Sequence, residues 1–332
     1  MNVARVTSRA VLGLTAVAAT LSATGAAYQA IATGRERRKH VPPGRLVDIG
    51  GFKLHLVDQG AGQPAVILEA GLTSMSAQWA WVQPEIANIT RVCAYDRAGL
   101  GWSECSTRPR DARNAVHELH TLLEKAGVPP PYIMAGHSLG GLLARLFAYT
   151  YRDEVVGLVL VDSAHPDQRK RYAPASEEAH ASFFRQLAIA PWLARVGVLR
   201  LTGYRSHMTA GLPPESAAVF RTLCCWERHL DTTNEEAQNW NTICDQVREA
   251  DTLGDLPVAV ISAEYRVDGM TEQWHCLQRE LATLSSNSML RIVPGSDHVS
   301  LMTRREHAQA TVEAIQTLVH AYRQGIARPW ET

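Results

Sequence analysis

Apolar and polar positions divide most of the chain into short strand patterns separated by helical patterns. Residues 45–60 alternate apolar and polar positions on both sides of Gly50 and Gly51, which predicts a hairpin of two half-buried strands. Segments of helical period, such as 112–127, lie between most of the later strand patterns. Six of those later runs are apolar and rich in β-branched residues, as buried strands are: 65–71, 91–96, 131–136, 155–162, 257–264 and 289–295. The alternation predicts an α/β fold, with a mostly parallel β-sheet and helices on both faces.

The strand pattern is interrupted once, between residues 166 and 255. This segment contains helix-like stretches such as "SEEAHASFFRQLAIAPWLARVG" and carries too many large aromatic residues for a disordered insertion. We expect a helical cap that covers the C-terminal edge of the sheet, excludes water and shapes a pocket. The predicted core then has two parts, residues 41–165 and 256–324, with the cap inserted between them.

The N-terminal segment, residues 1–40, has a different pattern. No residue from Ala10 to Thr33 is charged, and basic residues flank this stretch on both sides. A helix of this length could cross a bilayer core of about 30 Å, so we expect a hydrophobic helix that anchors the protein as a single-pass membrane protein. A cleaved signal peptide, which would leave a secreted or periplasmic protein, and a soluble helix are the alternatives. The basic residues after the stretch outnumber those before it, which favours a cytoplasmic catalytic domain.

Charge and cysteine content exclude several classes of function. Lys plus Arg and Asp plus Glu both total 33, so the balanced charge gives no indication of a nucleic-acid partner and favours a neutral small-molecule ligand. The six cysteines form no CxxC pair, which gives no support to a zinc site or a thioredoxin-type motif. We therefore expect no metal and no cofactor, and the oligomeric state stays open.

Residues 135–141, "AGHSLGG", contain the strongest chemical motif. Ser138 is flanked by Gly136 and Gly140, follows a predicted strand and precedes a stretch of helical period. A strand that turns directly into a helix holds the residue at the turn in a strained conformation, and the glycines leave room for it. In this setting the pattern predicts that Ser138 is a nucleophile.

A serine hydroxyl needs a base, and the base needs a carboxylate. His298 follows the last predicted strand in "RIVPGSDHVSLM", so its side chain can reach over the C-terminal edge of the sheet. For the acid, Asp268 is favoured because it lies in the loop after the preceding strand and keeps the order serine, acid, histidine. Asp162 and Glu264, which also lie near strand ends, remain alternatives.

Two backbone N–H groups are candidates for an oxyanion hole. They belong to Leu139, at the start of the helix after Ser138, and to Leu72, at the end of an earlier strand. Asp96 and Arg97 leave another strand into a glycine-containing loop that lacks the features of a phosphate-binding loop. We interpret these two residues as a structural ion pair or a loop brace.

Several of these motifs together resemble one known family. The stretches "VILEAGL", "CAYDRAGLGWSE", "AGHSLGGLLAR", "GLVLVDSAHPDQ" and "GSDHVSLM" are similar to those of the α/β-hydrolase fold superfamily, in its branch of capped serine hydrolases. The resemblance covers residues 45–322 and implies that Ser138 is the nucleophile, His298 the base, and Leu72 and Leu139 the oxyanion donors. Ala70-Gly71 replaces the usual His-Gly, and the loop before Asp268 is longer than usual. Dehalogenases and epoxide hydrolases of this fold have aspartate where Ser138 stands, so the resemblance disfavours their chemistry.

The sequence thus predicts a metal-independent serine hydrolase that cleaves an ester or amide of a small, largely apolar substrate through an acyl-enzyme. One alternative is a ligand-binding or interaction protein that keeps the fold without catalysis. Another is an aminopeptidase of the proline iminopeptidase type, which needs a cap carboxylate to hold the substrate amine. Six acidic residues of the predicted cap could hold the amine, and the sequence does not distinguish among them: Glu177, Glu178, Glu215, Glu227, Glu235 and Glu236.

Overall fold

A computed structural model describes residues 3–171, 174–266 and 269–331, and an eight-stranded β-sheet forms its centre. The strand order is β1-β2-β4-β3-β5-β6-β7-β8; β2 is antiparallel to β1 and β4, and the other neighbours are parallel. The strands are β1 (Arg45–Asp48), β2 (Lys53–Gln59), β3 (Ala65–Glu69), β4 (Val92–Tyr95), β5 (Tyr132–His137), β6 (Val155–Val161), β7 (Val258–Ala263) and β8 (Ser288–Val293). The predicted hairpin and the six later predicted strands are all present, and the predicted fold class is confirmed. The expectation of burial fails for β8, which lies at the edge of the sheet and is half-buried or exposed at five of its six positions.

The α-helices connect these strands, cover the sheet or form the cap. They are α1 (Val3–Lys39), α2 (Gln83–Ala87), α3 (Ala112–Ala126), α4 (Leu139–Thr150), α5 (Pro174–Arg195), α6 (Val198–Leu201), α7 (Pro214–Leu223), α8 (Glu227–Gln238), α9 (Trp240–Arg248), α10 (Thr271–Ala282), α11 (Ser300–Thr303) and α12 (Arg305–Gln324). The sequence explains the ends of α3: Asp111 accepts a hydrogen bond from the Asn114 N–H at its start, and Gly127 adopts a left-handed conformation at its end.

Each face of the sheet is covered by its own set of helices. On one face, apolar residues of α3, α4, α9 and α10 pack with side chains of the strands in a continuous buried cluster. On the other face, α2, α11 and α12 form a second cluster with the same strands. Because both faces are covered, strands such as β3 and β5 are buried at every position, which is why they are continuously apolar.

The inserted segment is helical, and α5 to α8 form a third apolar cluster above the sheet. Phe220, Leu223 and Trp226 are buried in this cluster, which also includes Met75 from the core. The last helix of the segment differs from the rest: α9 buries Trp240 and Ile243 against the α3 and α4 side of the sheet. The helical cap with an apolar core of its own therefore ends before α9.

The N-terminal helix is present, but the predicted membrane span has no support. Among the described residues, no helix combines the length and the apolar character needed to cross a membrane. The C-terminal half of α1 instead packs against the cap. Gln29 is buried and donates a hydrogen bond to the Cys225 carbonyl, while Arg200 forms an ion pair with Glu36.

The turn between β5 and α4 brings backbone segments too close together for any side chain. A Cβ atom on Gly136 would lie 2.3 Å from the Gly140 carbonyl oxygen, and a Cβ atom on Gly140 would lie 2.3 Å from the Glu69 carbonyl oxygen. Both glycines are therefore required for space, as predicted from their spacing around Ser138.

Substitution of Gly136 tests this close approach. We expect Gly136→Ala to lower the free energy of unfolding by about 3 kcal/mol, at the upper end of the cost of overpacking a well-packed interior. The matched control is Gly34→Ala in α1, where the nearest atom, in Arg38, lies 4.0 Å away; we expect a change of no more than about 1 kcal/mol. Urea unfolding measures both, and equal stabilities of the two variants would contradict the packing described.

Candidate active site

Ser138 occupies the turn between β5 and α4 in a conformation that is rare for a residue with a side chain. Its φ of 56° and ψ of −122° lie outside the helical and strand regions. The backbone is held there because the Ser138 N–H donates to the Val161 carbonyl and its carbonyl accepts hydrogen bonds from the N–H groups of Gly141 and Ala164. This strained turn places the hydroxyl at the C-terminal edge of the sheet, in the wall of a cavity.

His298 contacts Ser138 from a loop that follows β8. The Ser138 hydroxyl donates a hydrogen bond of 3.2 Å to His298 Nε2, and His298 Nδ1–H donates one of 2.6 Å to Asp162 Oδ2. The three residues follow β5, β8 and β6, so the parallel strands bring their side chains to the same edge. A hydroxyl, an imidazole and a carboxylate in this order can transfer a proton away from the hydroxyl.

Asp162 is fully buried and lies directly after β6. Its Oδ1 accepts hydrogen bonds from the Trp274 indole N–H at 2.7 Å and from the Ala263 N–H at 2.9 Å. Burial alone would raise the pKa of Asp162, but the hydrogen bond from His298 and the nearby Arg266 guanidinium hold that pKa well below its ordinary value. The carboxylate is therefore ionised and can hold His298 in the tautomer that leaves Nε2 free to accept a proton.

The acid favoured from the sequence, Asp268, lies outside the described residues. The described carboxylate that His298 contacts is Asp162, which the sequence offered as an alternative. The other alternative, Glu264, instead accepts a hydrogen bond from the Gly295 N–H at 2.7 Å. The position of Asp162, at the end of the strand next to β5, was the signal in its favour; the order of residues along the chain favoured Asp268.

The two candidate oxyanion donors lie beside Ser138. In the part of the chain that the structure describes, the N–H groups of Leu72 and Leu139 donate no hydrogen bond. The loop of Leu72 runs close to Ser138, because a Cβ atom on the preceding Gly71 would lie 3.2 Å from the Ser138 Cβ. Both N–H groups are therefore available for a ligand oxygen near Ser138.

Arg97 fixes the backbone of the loop that contains Leu72. Its guanidinium donates to the Ala70 and Gly71 carbonyls and forms ion pairs of 2.7 Å with Glu69 in β3 and Glu236 in α8 of the cap. Burial disfavours the charge, but Glu236 and Glu69 together raise the pKa of Arg97, which stays ionised. Arg97 is thus a brace between the loop of Leu72 and the cap, and neither of its carboxylate partners was predicted from the sequence.

Asp96 and Arg97 do not pair with each other. Asp96 pairs with the buried His55 at 2.8 Å and accepts hydrogen bonds from the N–H groups of Ser76 and Trp102. The sequence predicted either an ion pair between Asp96 and Arg97 or a brace for the loops around them. The ion pair is wrong, and both residues brace loops.

His137, next to the nucleophile, supports the loop of His298. Its Nε2–H donates a hydrogen bond of 3.0 Å to the His298 carbonyl, and the two rings lie 4.6 Å apart. Burial lowers the pKa of His137 to about 3, so the ring stays neutral and can make this contact without adding charge beside His298. Through these contacts His137 positions the loop of His298.

The cavity that contains Ser138 has a volume of about 330 Å³ and lies between the sheet edge and the cap. The cap contributes Phe183, Phe184 and Met208 to its wall, and α10 contributes Trp274. A separate cavity of about 620 Å³ lies between α1, the cap and the loop around Cys105, and it contains neither Ser138 nor His298. Within the described ranges, no cluster of three or more His, Cys, Asp or Glu side chains could hold a metal ion.

Comparisons with known proteins identify related folds. A family model described as alpha/beta hydrolase fold matches residues 64–204. An uncharacterized protein of Bacillus subtilis is 33% identical over 131 residues, which are 40% of this chain and 51% of that protein. A 2-hydroxymuconate semialdehyde hydrolase of a Pseudomonas species is 35% identical over 133 residues, 36% of this chain and 44% of that protein. The chain thus spans about half, or less, of the length of these relatives.

Solved structures match a larger part of the chain. The structure of an epoxide hydrolase, CorEH, superposes with a TM-score of 0.67 over 84% of this chain and 99% of that chain, at 19% sequence identity. At this identity the likeness concerns the fold, and the chemistry of the site must be argued from its own residues.

His229 in α8 offers a test of how the cap is held on the core. Its Nδ1 accepts a hydrogen bond from the Gly101 N–H and its Nε2–H donates to the Thr73 carbonyl, and burial lowers its pKa to about 4. Between about pH 4 and pH 6.5, the ordinary pKa of histidine, the unfolded chain binds a proton that the folded protein does not. The free energy of unfolding therefore rises with pH in this range.

We expect His229→Gln to reduce this pH dependence by about 1.4 kcal/mol per pH unit between roughly pH 4 and pH 6.5, the contribution of one proton. Denaturant unfolding at several pH values measures the slope. Comparing slopes, and not stabilities at a single pH, separates the lost titration from the lost hydrogen bonds. A slope equal to that of the wild type would contradict a neutral, buried His229.

Proposed function

Because the chain belongs to the α/β-hydrolase fold superfamily, we propose that it is a serine hydrolase, which cleaves an ester or amide bond of a small molecule through an acyl-enzyme. The observation that carries the proposal is the chain of two hydrogen bonds from Ser138 to His298 and from His298 to Asp162. A serine, a histidine and a buried carboxylate in this geometry activate the hydroxyl as a nucleophile.

The proposed reaction has two halves. In the first, Ser138 Oγ attacks the carbonyl carbon of the substrate, His298 Nε2 takes the hydroxyl proton, and this proton then goes to the leaving alcohol or amine. In the second, His298 takes a proton from water, the resulting hydroxide attacks the acyl-enzyme, and Ser138 regains its proton as the acid leaves. Asp162 stabilises the imidazolium in both halves, and the Leu72 and Leu139 N–H groups bind the oxyanion.

The competing functions have less support in the residues present. Chemistry through an aspartyl ester needs a carboxylate where Ser138 stands. An aminopeptidase needs a carboxylate that faces the substrate amine, but no Asp or Glu lines the Ser138 cavity in the described part of the chain. Glu236, a buried cap candidate, is already paired with Arg97. A protein without catalysis would have no need for the strained Ser138 turn and the aligned His298.

Replacement of the nucleophile tests the proposal directly. We expect wild-type protein to hydrolyse p-nitrophenyl esters of short acids and to be labelled by a fluorophosphonate probe, with Ser138 as the modified residue. Ser138→Ala should lose the labelling and at least about 10³-fold in kcat, as expected when a nucleophile is removed. Absence of both hydrolysis and labelling in folded wild-type protein would favour a binding protein and contradict a serine hydrolase.

A second pair of variants decides which carboxylate assists His298. Asp162→Asn should lower kcat by about 10²–10⁴-fold, because the amide cannot stabilise the imidazolium and favours the wrong tautomer. Asp268→Asn, the matched control, should retain activity within about threefold, a change that corresponds to less than 1 kcal/mol in the barrier. Steady-state kinetics with one p-nitrophenyl ester compares them. The opposite pattern would return the acid role to Asp268.

A further inference from the structure

The described residues in the wall of the Ser138 cavity include basic side chains and no acidic ones, in contrast to the balanced composition of the whole chain. The cavity lining includes two arginines and four histidines, and none of the described lining residues is an aspartate or a glutamate. The two arginines are Arg205, just after α6 in the cap, and Arg266, after β7. Their surroundings differ, and the difference shows which of them has charge to offer a ligand.

Arg266 is already engaged with the site. Its Nη1 lies 3.8 Å from Asp162 Oδ2, and its guanidinium lies over the Trp274 ring at 4.2 Å from the centroid. The negative charge of Asp162 therefore offsets the positive charge of Arg266, and together the two residues add little net charge to the cavity.

Arg205 has no such counterion among the described residues. Its guanidinium lies 5.3 Å from the centre of the Phe183 ring and 5.0 Å from that of the Tyr204 ring. With the residues that the structure describes, its one hydrogen-bond contact is from Nη1 to the sulfur of Met208 at 3.2 Å, and its Nε is buried without a partner there. No carboxylate of the described ranges lies within 4 Å, although the side chain is half-buried.

This placement leaves most donors of Arg205 without a protein partner among the described residues. An arginine fork has five N–H donors, and a thioether sulfur is a weak acceptor, so most of the hydrogen-bonding capacity of Arg205 is unused. Arg205 also adopts a left-handed backbone conformation, with φ of 56°, which costs energy for a residue other than glycine. The aromatic rings hold the planar group in place and compensate for only part of its desolvation.

We propose that Arg205 binds a carboxylate of the substrate, so that the preferred substrates of the site are small esters that carry one carboxylate besides the bond that is cleaved. A carboxylate matches the guanidinium fork with two parallel hydrogen bonds. Phe183, Phe184 and Met208 contact the apolar remainder of the substrate, while Ser138 reaches its ester carbonyl. The proposal rests on the serine hydrolase function and adds the chemical class of the substrate.

Two matched pairs of esters test the preference. In the first, the mono-p-nitrophenyl ester of adipic acid is compared with an ester in which an isopropyl group replaces the terminal carboxylate. In the second, the butyrate ester of p-hydroxybenzoic acid is compared with that of p-isopropylphenol. The first pair places the charge on the acyl side of the ester, and the second places it on the alcohol side. The two esters within each pair have nearly the same shape.

In at least one pair, we expect wild-type kcat/KM to be about 10-fold to 100-fold higher for the anionic ester, the range of a charge-assisted hydrogen bond. Arg205→Met keeps the unbranched stem beside Phe183 and should reduce this ratio to about one or below, while kcat/KM for the neutral ester stays within about threefold. Arg205→Lys should keep part of the preference, because it retains the charge without the fork.

The control variant is Arg195→Met. Arg195 also stacks on an aromatic ring of the cap, that of Trp192 at 5.0 Å, but it lies outside the cavity and pairs with Asp231. The preference of Arg195→Met for the anionic ester over the neutral one should equal that of the wild type. If Arg205→Met lowers activity toward anionic and neutral esters equally, Arg205 serves only to pack the cap, and the proposal is overturned.

The outcomes separate this inference from the proposed function. If neutral esters are cleaved with dependence on Ser138 but neither anionic ester is preferred, the carboxylate site is wrong and the hydrolase stands. If no ester is cleaved, titration calorimetry with adipic acid monomethyl ester decides: binding that Arg205→Met weakens at least about 10-fold keeps the carboxylate site and removes the hydrolase. Equal binding by wild type and Arg205→Met removes the carboxylate site as well.

Discussion

The close approach of backbone around Ser138 is the constraint on which the site depends. Gly136 faces the Gly140 carbonyl, and Gly140 faces the Glu69 carbonyl at the end of β3, at distances that exclude even a methyl group. This contact allows β5 to turn into α4 within one residue and forces Ser138 into its unusual conformation. The hydroxyl then lies at the edge of the sheet, where β6 and β8 bring Asp162 and His298.

A buried polar network ties this edge to the cap. Arg97 joins Glu69, the carbonyls of Ala70 and Gly71, and Glu236 of α8, so the loop that carries the Leu72 N–H is linked to a cap helix. Ion pairs of this kind contribute little net stability over an apolar core, since desolvation opposes them. Their geometry is nevertheless specific, because an unpaired carboxylate at this depth would be costly. The position of the Leu72 loop thus depends on how the cap packs on the core.

The cap has a second support in α1. Gln29, Glu36 and Thr33 contact Arg200 and the backbone of Cys225, and Arg37 lies over the Trp226 ring. A stretch that has the composition of a weak membrane span is thus used, in its C-terminal half, to pack against the protein. The same cap supplies Arg205, Phe183 and Met208 to the cavity, so the N-terminal helix, the cap and the Ser138 cavity form one connected unit.

The sequence by itself determined the strands, the strand-to-helix turn at Ser138, the loop position of His298 and the helical nature of the cap. These features depend on local patterns: apolar periodicity, glycine spacing and the ends of predicted strands. The assignment of the acid did not follow, because the sequence offers carboxylates after more than one predicted strand, and the hydrogen bond from His298 Nδ1 to Asp162 exists only in the tertiary structure. Packing also decided that α1 contacts the cap, that α9 packs on the α3 and α4 side of the sheet, and that Arg97 pairs with Glu236. Such contacts join residues separated by a hundred positions or more, and no periodicity along the chain records them.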